Sequence, residues 1–275
     1  MWRPAAVRPW LGRTCMALTL FAMTAPARGP ADDVGMDVLL ARMDRLWAQR
    51  DAPEAMHDMI TLGVIALAID SESYEAMWRV ARAYAWVAHT QPNRLFKKAM
   101  AVKSMEWAEH AKTLQPARVE GHYFYALSVG EYAMTVGIMK AVMDGVAGKI
   151  ETSALEAYAL DREFEYGGAM TVLGRYYYVL PWPKRDLDRS RRYLEDLKTR
   201  YPGRLLGRFY LAETYYALGE KEKARAELEF VLRNDPLSGT ELDQPPPKAA
   251  AREALTRWFP GATPYPAEPE PNRKK

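Results

Sequence analysis

Cysteine is nearly absent from this 275-residue chain, Cys15 being the only one. A single thiol excludes an internal disulfide framework and any thiolate-rich zinc site. Histidine is scarce as well: His57, His89, His110 and His122 show no ligand spacing such as i, i+4. No glycine-rich segment has the spacing of a phosphate loop. Ala126-Leu127-Ser128-Val129-Gly130 comes nearest to a nucleophile elbow, but it lacks the first glycine and lies in a helical pattern. Glu163 and Glu165 stand among charged residues that read as solvent-facing. No catalytic, cofactor-binding or metal-binding residue is therefore expected, and the chain reads as a non-enzyme. Alternating apolar runs are missing too, which excludes a half-buried strand.

Long hydrophobic runs are also lacking. The most apolar N-terminal stretch, Cys15 to Met23, falls short of the ~20 residues that span a bilayer. It follows a basic, acid-free stretch carrying Arg3, Arg8 and Arg13, and it precedes Ala25-Pro26-Ala27. This is the layout of a secretory signal cleaved after Ala27. Residues 1–27 are thus expected to be a signal peptide and 28–35 a flexible N-terminus, which places the mature protein in the periplasm or outside the cell. Arg13, close before Cys15, sits where a lipoprotein leader would be apolar, so no lipid anchor is expected. Removing the three leader arginines from the 38 basic residues leaves 35, equal to the 35 acidic ones. Nucleic acid is accordingly not an expected partner.

What the sequence does contain is a repeat. Leu206 to Pro236 reads as one tetratricopeptide (TPR) unit of two amphipathic helices joined at Gly219-Glu220. Leu211, Ala212 and Tyr215 share one face of the first helix, and Ala224, Leu228 and Val231 one face of the second. Gly219 ends the first helix and Pro236 stops the second. The same grammar recurs in Met170 to Pro202, interrupted by Pro181-Trp182-Pro183, and in Val119 to Asp161. It recurs again in Tyr74 to Pro116, where a longer segment around Gln91-Pro92-Asn93 separates the helices. A degenerate pair covers Met36 to Asp70. The expected fold is all-α, a TPR-like helical-hairpin solenoid over 36–259, with about five helix pairs and a C-terminal capping helix from Lys248 to Phe259. The Pro-rich tail, 260–275, is expected to be disordered.

Gly130 to Gly148 breaks the pattern. Ala133, Gly137, Ala141 and Gly145 recur every four residues beside Met134, Ile138, Val142 and Val146. One reading is a buried helix packed through a ridge of small residues. The other is a groove or cavity wall of flexible methionines for an apolar ligand. First helices of a TPR stack line its concave surface, and here they are rich in aromatics. In the run Tyr176-Tyr177-Tyr178 the three rings cannot all face one way. The candidate ligand or partner groove comprises Trp78, Tyr84, Tyr123, Tyr132, Met134, Ile138, Met139, Val142, Arg175, Tyr177 and Trp182.

Glu120-Gly121-His122-Tyr123, with the Met/Gly-rich segment after it, resembles the TRAP transporter T-component (TatT-like) family. So do Gly167 to Tyr177, Leu180-Pro181-Trp182-Pro183 and Leu211-Ala212-Glu213-Thr214. The resemblance spans Tyr74 to Leu232. It implies a periplasmic protein of cryptic TPR repeats with a hydrophobic passage, homo-oligomers, and a periplasmic solute-binding receptor as partner. It departs from the family in lacking a cysteine suited to a lipid anchor. The expected function is a non-enzymatic periplasmic scaffold, accessory to TRAP-type solute transport, that also handles an apolar small molecule. The alternative is a cell-envelope adaptor that binds a peptide in its concave groove.

Overall fold

A computed structural model of the chain describes residues 35–260, apart from 53, 242, 244 and 245. The segments expected to be a signal peptide (1–27) and a flexible N-terminus, as far as 34, and the tail from 261 lie outside the described residues. Among these there are twelve helices and no strand. They form five antiparallel hairpins and a cap. The first two hairpins are α1 (Met36–Ala48) with α2 (Ala55–Ile69), and α3 (Tyr74–Thr90) with α4 (Arg94–Leu114). In the third, α5 (Val119–Val136) and α7 (Val146–Leu160) are joined through the short α6 (Ile138–Met143). The fourth pairs α8 (Phe164–Val179) with α9 (Leu187–Arg200), and the fifth pairs α10 (Leu205–Ala217) with α11 (Lys221–Arg233). The closing helix is α12 (Pro247–Trp258), whose Trp258 stacks on Tyr216 at 4.3 Å. This is the TPR-like helical solenoid expected of the repeats. Among the described residues no helix is long and apolar enough to cross a membrane.

Small residues let the hairpins close. Ala81, Ala108, Ala126, Ala157, Ala212 and Ala224 are all fully buried at helix crossings, where a larger side chain would hold the axes apart. Leucine and methionine fill the space between, with Met43, Met59, Leu194 and Leu228 wholly inaccessible. Each such side chain contributes ~2 kcal/mol of transfer free energy. Local signals set the boundaries: Ser73 accepts from Ala76 N, Asn93 from Leu95 N and Phe96 N, and Asp186 from Arg189 N.

Two expectations are corrected. The long separation expected around Gln91-Pro92-Asn93 is only three residues, because the Asn93 cap starts the 21-residue α4 at Arg94. Residues 130–148 are not one helix with a continuous small ridge. Gly137 has φ 96° and Gly145 φ 72°, conformations that glycine adopts freely. They break the segment into the end of α5, the six residues of α6 and the start of α7. Ala133 and Ala141 are buried, but on different helices.

The linker between α11 and α12 returns to the body of the solenoid. Leu237 N donates to Gly203 O at 2.8 Å. Nη2 of Arg50, from the first hairpin, donates to Gly239 O at 3.0 Å, across 189 residues of sequence. Thr240 is buried between them. The first and last hairpins are therefore tied together across the inner face.

Candidate functional site

A partly open cavity of about 570 Å³ lies on that inner face. Its aromatic wall includes Trp47, Trp86, Tyr123, Phe124, Tyr176 and Tyr210. Aliphatic side chains from α5, α6 and α8, among them Leu127, Met134, Ile138 and Val172, complete the apolar lining. Five cations also reach it, Arg50, Arg82, Lys97, Arg175 and Arg204, against three carboxylates, Glu131, Glu165 and Asp243.

The cations are held in unequal ways. Arg82 is buried between Trp47 and Trp78, its guanidinium 4.4 and 4.7 Å from the ring centroids. Its Nη2 donates to Asp44 Oδ1 at 2.9 Å. Burial pulls its pKa down to about 10 although Glu165 and Asp44 oppose the shift. Arg50 lies over Trp47 and Trp86 at 4.8 and 5.2 Å. Arg204 donates from Nη1 to Glu165 O at 2.6 Å and sits 3.5 Å from Asp243 Oδ2. In all three arginines Nε has no hydrogen-bond partner among the described residues, although it is shielded from solvent. A buried unpaired donor costs ~1–3 kcal/mol. Asp243 Oδ2 is likewise without a hydrogen bond, and burial holds its carboxyl above the usual range against the pull of Arg204, His89 and Arg50.

The other wall is better satisfied. Glu131 is buried and paired with His89 and, at 2.9 Å, with Lys97. Burial raises its pKa, but the hydrogen bonds and charges of those two partners outweigh this and hold it low. Arg175 donates to Glu213 at 2.6 Å and lies 4.6 Å from the Tyr210 ring. Burial pushes the Tyr210 phenol up to about 12. The first turn of α8 is left-handed, with Glu165 at φ 50°, Tyr166 at 52° and Gly167 at 76°. Non-glycine residues in that region store about 1 kcal/mol each. Arg204 Nη1, bonded to the Glu165 carbonyl, braces this turn at the cavity edge.

Of the eleven groove candidates, Tyr123, Met134, Ile138 and Arg175 line the cavity. The other seven lie elsewhere. Trp78 is buried behind the wall, stacked on Phe124 at 6.1 Å. Tyr84 and Val142 pack half-buried against the core. Tyr132 lies beneath Lys98 at 5.7 Å. Met139 and Trp182 are exposed at the hairpin tips. Tyr177 turns away to stack on Tyr193 and donate to Glu151 at 2.6 Å. Its neighbour Tyr176, one helical step round, takes the inner position. Glu165, read as solvent-facing, is half-buried at the cavity. Trp47, Arg50 and Asp243 had no sequence signal, since only closure of the solenoid brings them in. Trp86 and Arg82 could have been found, lying two turns and one turn beyond Trp78 on the same helix.

Ser128 is fully buried, bonded to Ser104 Oγ at 2.5 Å and to Phe124 O at 2.6 Å. Among the described residues no group of three or more His, Cys, Asp or Glu is placed to hold a metal ion.

Comparison with known proteins agrees with this architecture. The sequence pattern of the RMD1-3 family, described as regulator of microtubule dynamics protein 1-3, matches residues 39–186. No curated protein matches the chain. The crystal structure of a thermophilic TPR protein of Thermus thermophilus superposes with a TM-score of 0.58 at 16% identity, covering 78% of this chain and 98% of that one. The crystal structure of MamA protein aligns at 13% identity with a TM-score of 0.48, covering 83% and 98%. The first of these likenesses shows the shared TPR fold.

Proposed function

Because the chain belongs to the RMD1-3 family and folds as a TPR-like solenoid, we propose that it is a non-enzymatic binding scaffold whose cavity holds an apolar molecule with an anionic head. The observation that carries this is the pairing of aromatic and aliphatic walls with the shielded guanidinium groups of Arg50, Arg82 and Arg204, whose Nε atoms make no hydrogen bond among the described residues, Arg204 Nε having only Asp243 Oδ2 at 3.5 Å. A carboxylate would satisfy those donors, and its hydrocarbon tail would cover the Met134–Ile138 side. The scaffold carries its ligand in the periplasm, as the leader and the TatT-like residues suggest. There it serves as an accessory to a TRAP-type system by docking the solute-binding receptor, and homo-oligomers are compatible with that role. What the RMD1-3 match contributes to this reading is the repeat scaffold.

The second reading, an envelope adaptor with a peptide in the concave groove, is less favoured. The chain's own segment from Leu237 to Gly239 already lies on that face, tied to Gly203 and Arg50. An incoming peptide would first have to displace it.

Titration of the purified protein with dodecanoate tests the ligand. We expect one equivalent to bind, dodecanol to bind about tenfold more weakly for want of a charge-assisted bond, and Val172→Trp to fill the cavity and abolish uptake. No uptake of dodecanoate overturns the ligand. Failure of a solute receptor to co-purify overturns the transport role.

A further inference from the structure

The five most exposed large apolar side chains among the described residues are Trp182 (88%), Leu95 (80%), Met143 (79%), Met134 and Met139 (both 59%). All five stand at the tips of three consecutive hairpins, where the first helix hands over to the second. Leu95 opens α4, the three methionines flank or lie in α6, and Trp182 lies between α8 and α9. These tips share one edge of the solenoid. Arg94 Nε donates to Thr135 O at 2.5 Å, joining the second tip to the third. Arg189 and Tyr177 both reach Glu151, joining the third to the fourth. The same edge carries a small excess of positive charge. Arg94, Lys98, Lys140, Lys184 and Arg185 are exposed there, against exposed Asp144, which pairs with Lys140 at 2.8 Å, exposed Asp188 and half-buried Asp186.

We infer that this hairpin-tip edge docks on an anionic lipid surface. Separate protruding side chains do not make the continuous, complementary patch that a protein partner needs. They do suit a bilayer, in which Trp, Leu and Met dip below the headgroups while cations meet the phosphates. Charge complementarity favours anionic over neutral lipid. No spanning helix is required. Met134 belongs to both the edge and the cavity wall, so a docked molecule would hold its cavity beside the membrane. The inference does not depend on what the cavity binds.

The test is co-sedimentation of the full chain with phosphatidylethanolamine vesicles containing one quarter phosphatidylglycerol, and with pure phosphatidylcholine vesicles. Binding should prefer the anionic vesicles. It should fall by about fivefold for each cation removed in Lys184→Gln and Arg185→Gln, and further in Trp182→Asp with Met143→Asp. Ile69→Asp, at an exposed apolar site off this edge, should bind as the parent does. Circular dichroism melting checks that each variant is folded, and dodecanoate uptake should survive Trp182→Asp because Trp182 lies outside the cavity. Equal binding by the tip variants, equal loss in Ile69→Asp, or equal affinity for neutral vesicles overturns the inference. A concentration-dependent dimer abolished by the same tip changes, without vesicle binding, overturns it in favour of self-association.

Discussion

The α4–α5 crossing and the α9–α10 crossing are built from the same parts 86 positions apart. Ser104 and Ser190 each donate to a carbonyl of the preceding first helix, Ala81 at 2.7 Å and Gly174 at 2.8 Å. Each also meets a hydroxyl of the next first helix, Ser128 at 2.5 Å and Thr214 at 2.9 Å. His122 Nε2 pairs with Pro116 O, and Arg208 Nε donates to Pro202 O, both at 2.9 Å. The two part company after the crossing. α10 stops at Gly219 and turns straight into α11, with Glu220 N on Tyr215 O. α5 runs on to Gly137, and two positive-φ glycines bracket α6. The shared parts fix how one hairpin stacks on the next. The added residues, freed from stacking, form part of the cavity wall and of the exposed rim.

Gly121 and Gly207 occupy the same position in the two crossings and offer the harshest way to separate them. A Cβ on Gly121 would lie 2.6 Å from Lys112 N and 2.9 Å from its Cα, which is backbone that cannot step aside. On Gly207 it would meet Leu197 Cδ2 at 2.4 Å, the end of a side chain. Gly121→Ala should lower stability by about 3 kcal/mol even after the gain in helix propensity, and Gly207→Ala by about 1 kcal/mol. Urea unfolding of both variants measures this. Equal losses would mean that the two crossings tolerate overpacking alike.

Carboxylates give the next largest contrast, between the satisfied and unsatisfied sides of the cavity. The folded-state pKa of Glu131 lies below its unfolded value. Its stabilisation is present above the unfolded pKa and fades as pH falls through the folded one. Glu131→Gln should therefore cost about 2 kcal/mol at pH 7 and flatten the loss of stability on acidification below pH 4.5. Asp243 behaves oppositely. Its folded pKa is raised, so its charge opposes folding above the unfolded pKa, and Asp243→Asn should leave Tm at pH 7 unchanged or slightly higher. Melting curves from pH 3 to pH 8 distinguish the two. A fall in Tm for Asp243→Asn matching that of Glu131→Gln would show that Arg204 needs the carboxylate.

The two halves of the molecule were not equally legible from sequence. Hairpins follow from local rules: apolar spacing, Ala at crossings, and Gly or Pro stops. All five pairs and the cap were readable for that reason. The cavity combines local and distant residues. Tyr123, Met134, Ile138 and Arg175 lie on inner-face helices and carried a signal. Arg50 and Asp243 meet only because residues 189 positions apart bond across the inner face, and no period in the sequence encodes that. A run of three tyrosines fixes no phase for the helix, so the sequence does not distinguish the inward Tyr176 from Tyr177. In 130–148, spacing of four suggested a ridge, whereas two of the four small residues are glycines whose positive φ ends the helix.

The smallest effect probes the shared parts themselves. Ser104→Ala removes a buried hydroxyl that reaches Ala81 O and Ser128 Oγ, and Ser190→Ala removes its counterpart at Gly174 O and Thr214 Oγ1. Each should cost about 1 kcal/mol, the net value of a buried hydrogen bond plus the partner left unsatisfied. Combining Ser104→Ala with Ser128→Ala, and Ser190→Ala with Thr214→Val, gives two double-mutant cycles whose coupling energies can be compared directly. If the crossings are equivalent the couplings agree within about 0.5 kcal/mol, whatever happens beyond Gly137. A coupling confined to Ser190 and Thr214 would mean that the α6 insertion has already loosened the stack at α5. The line between scaffold and site would then fall before Ser128, not after Val136.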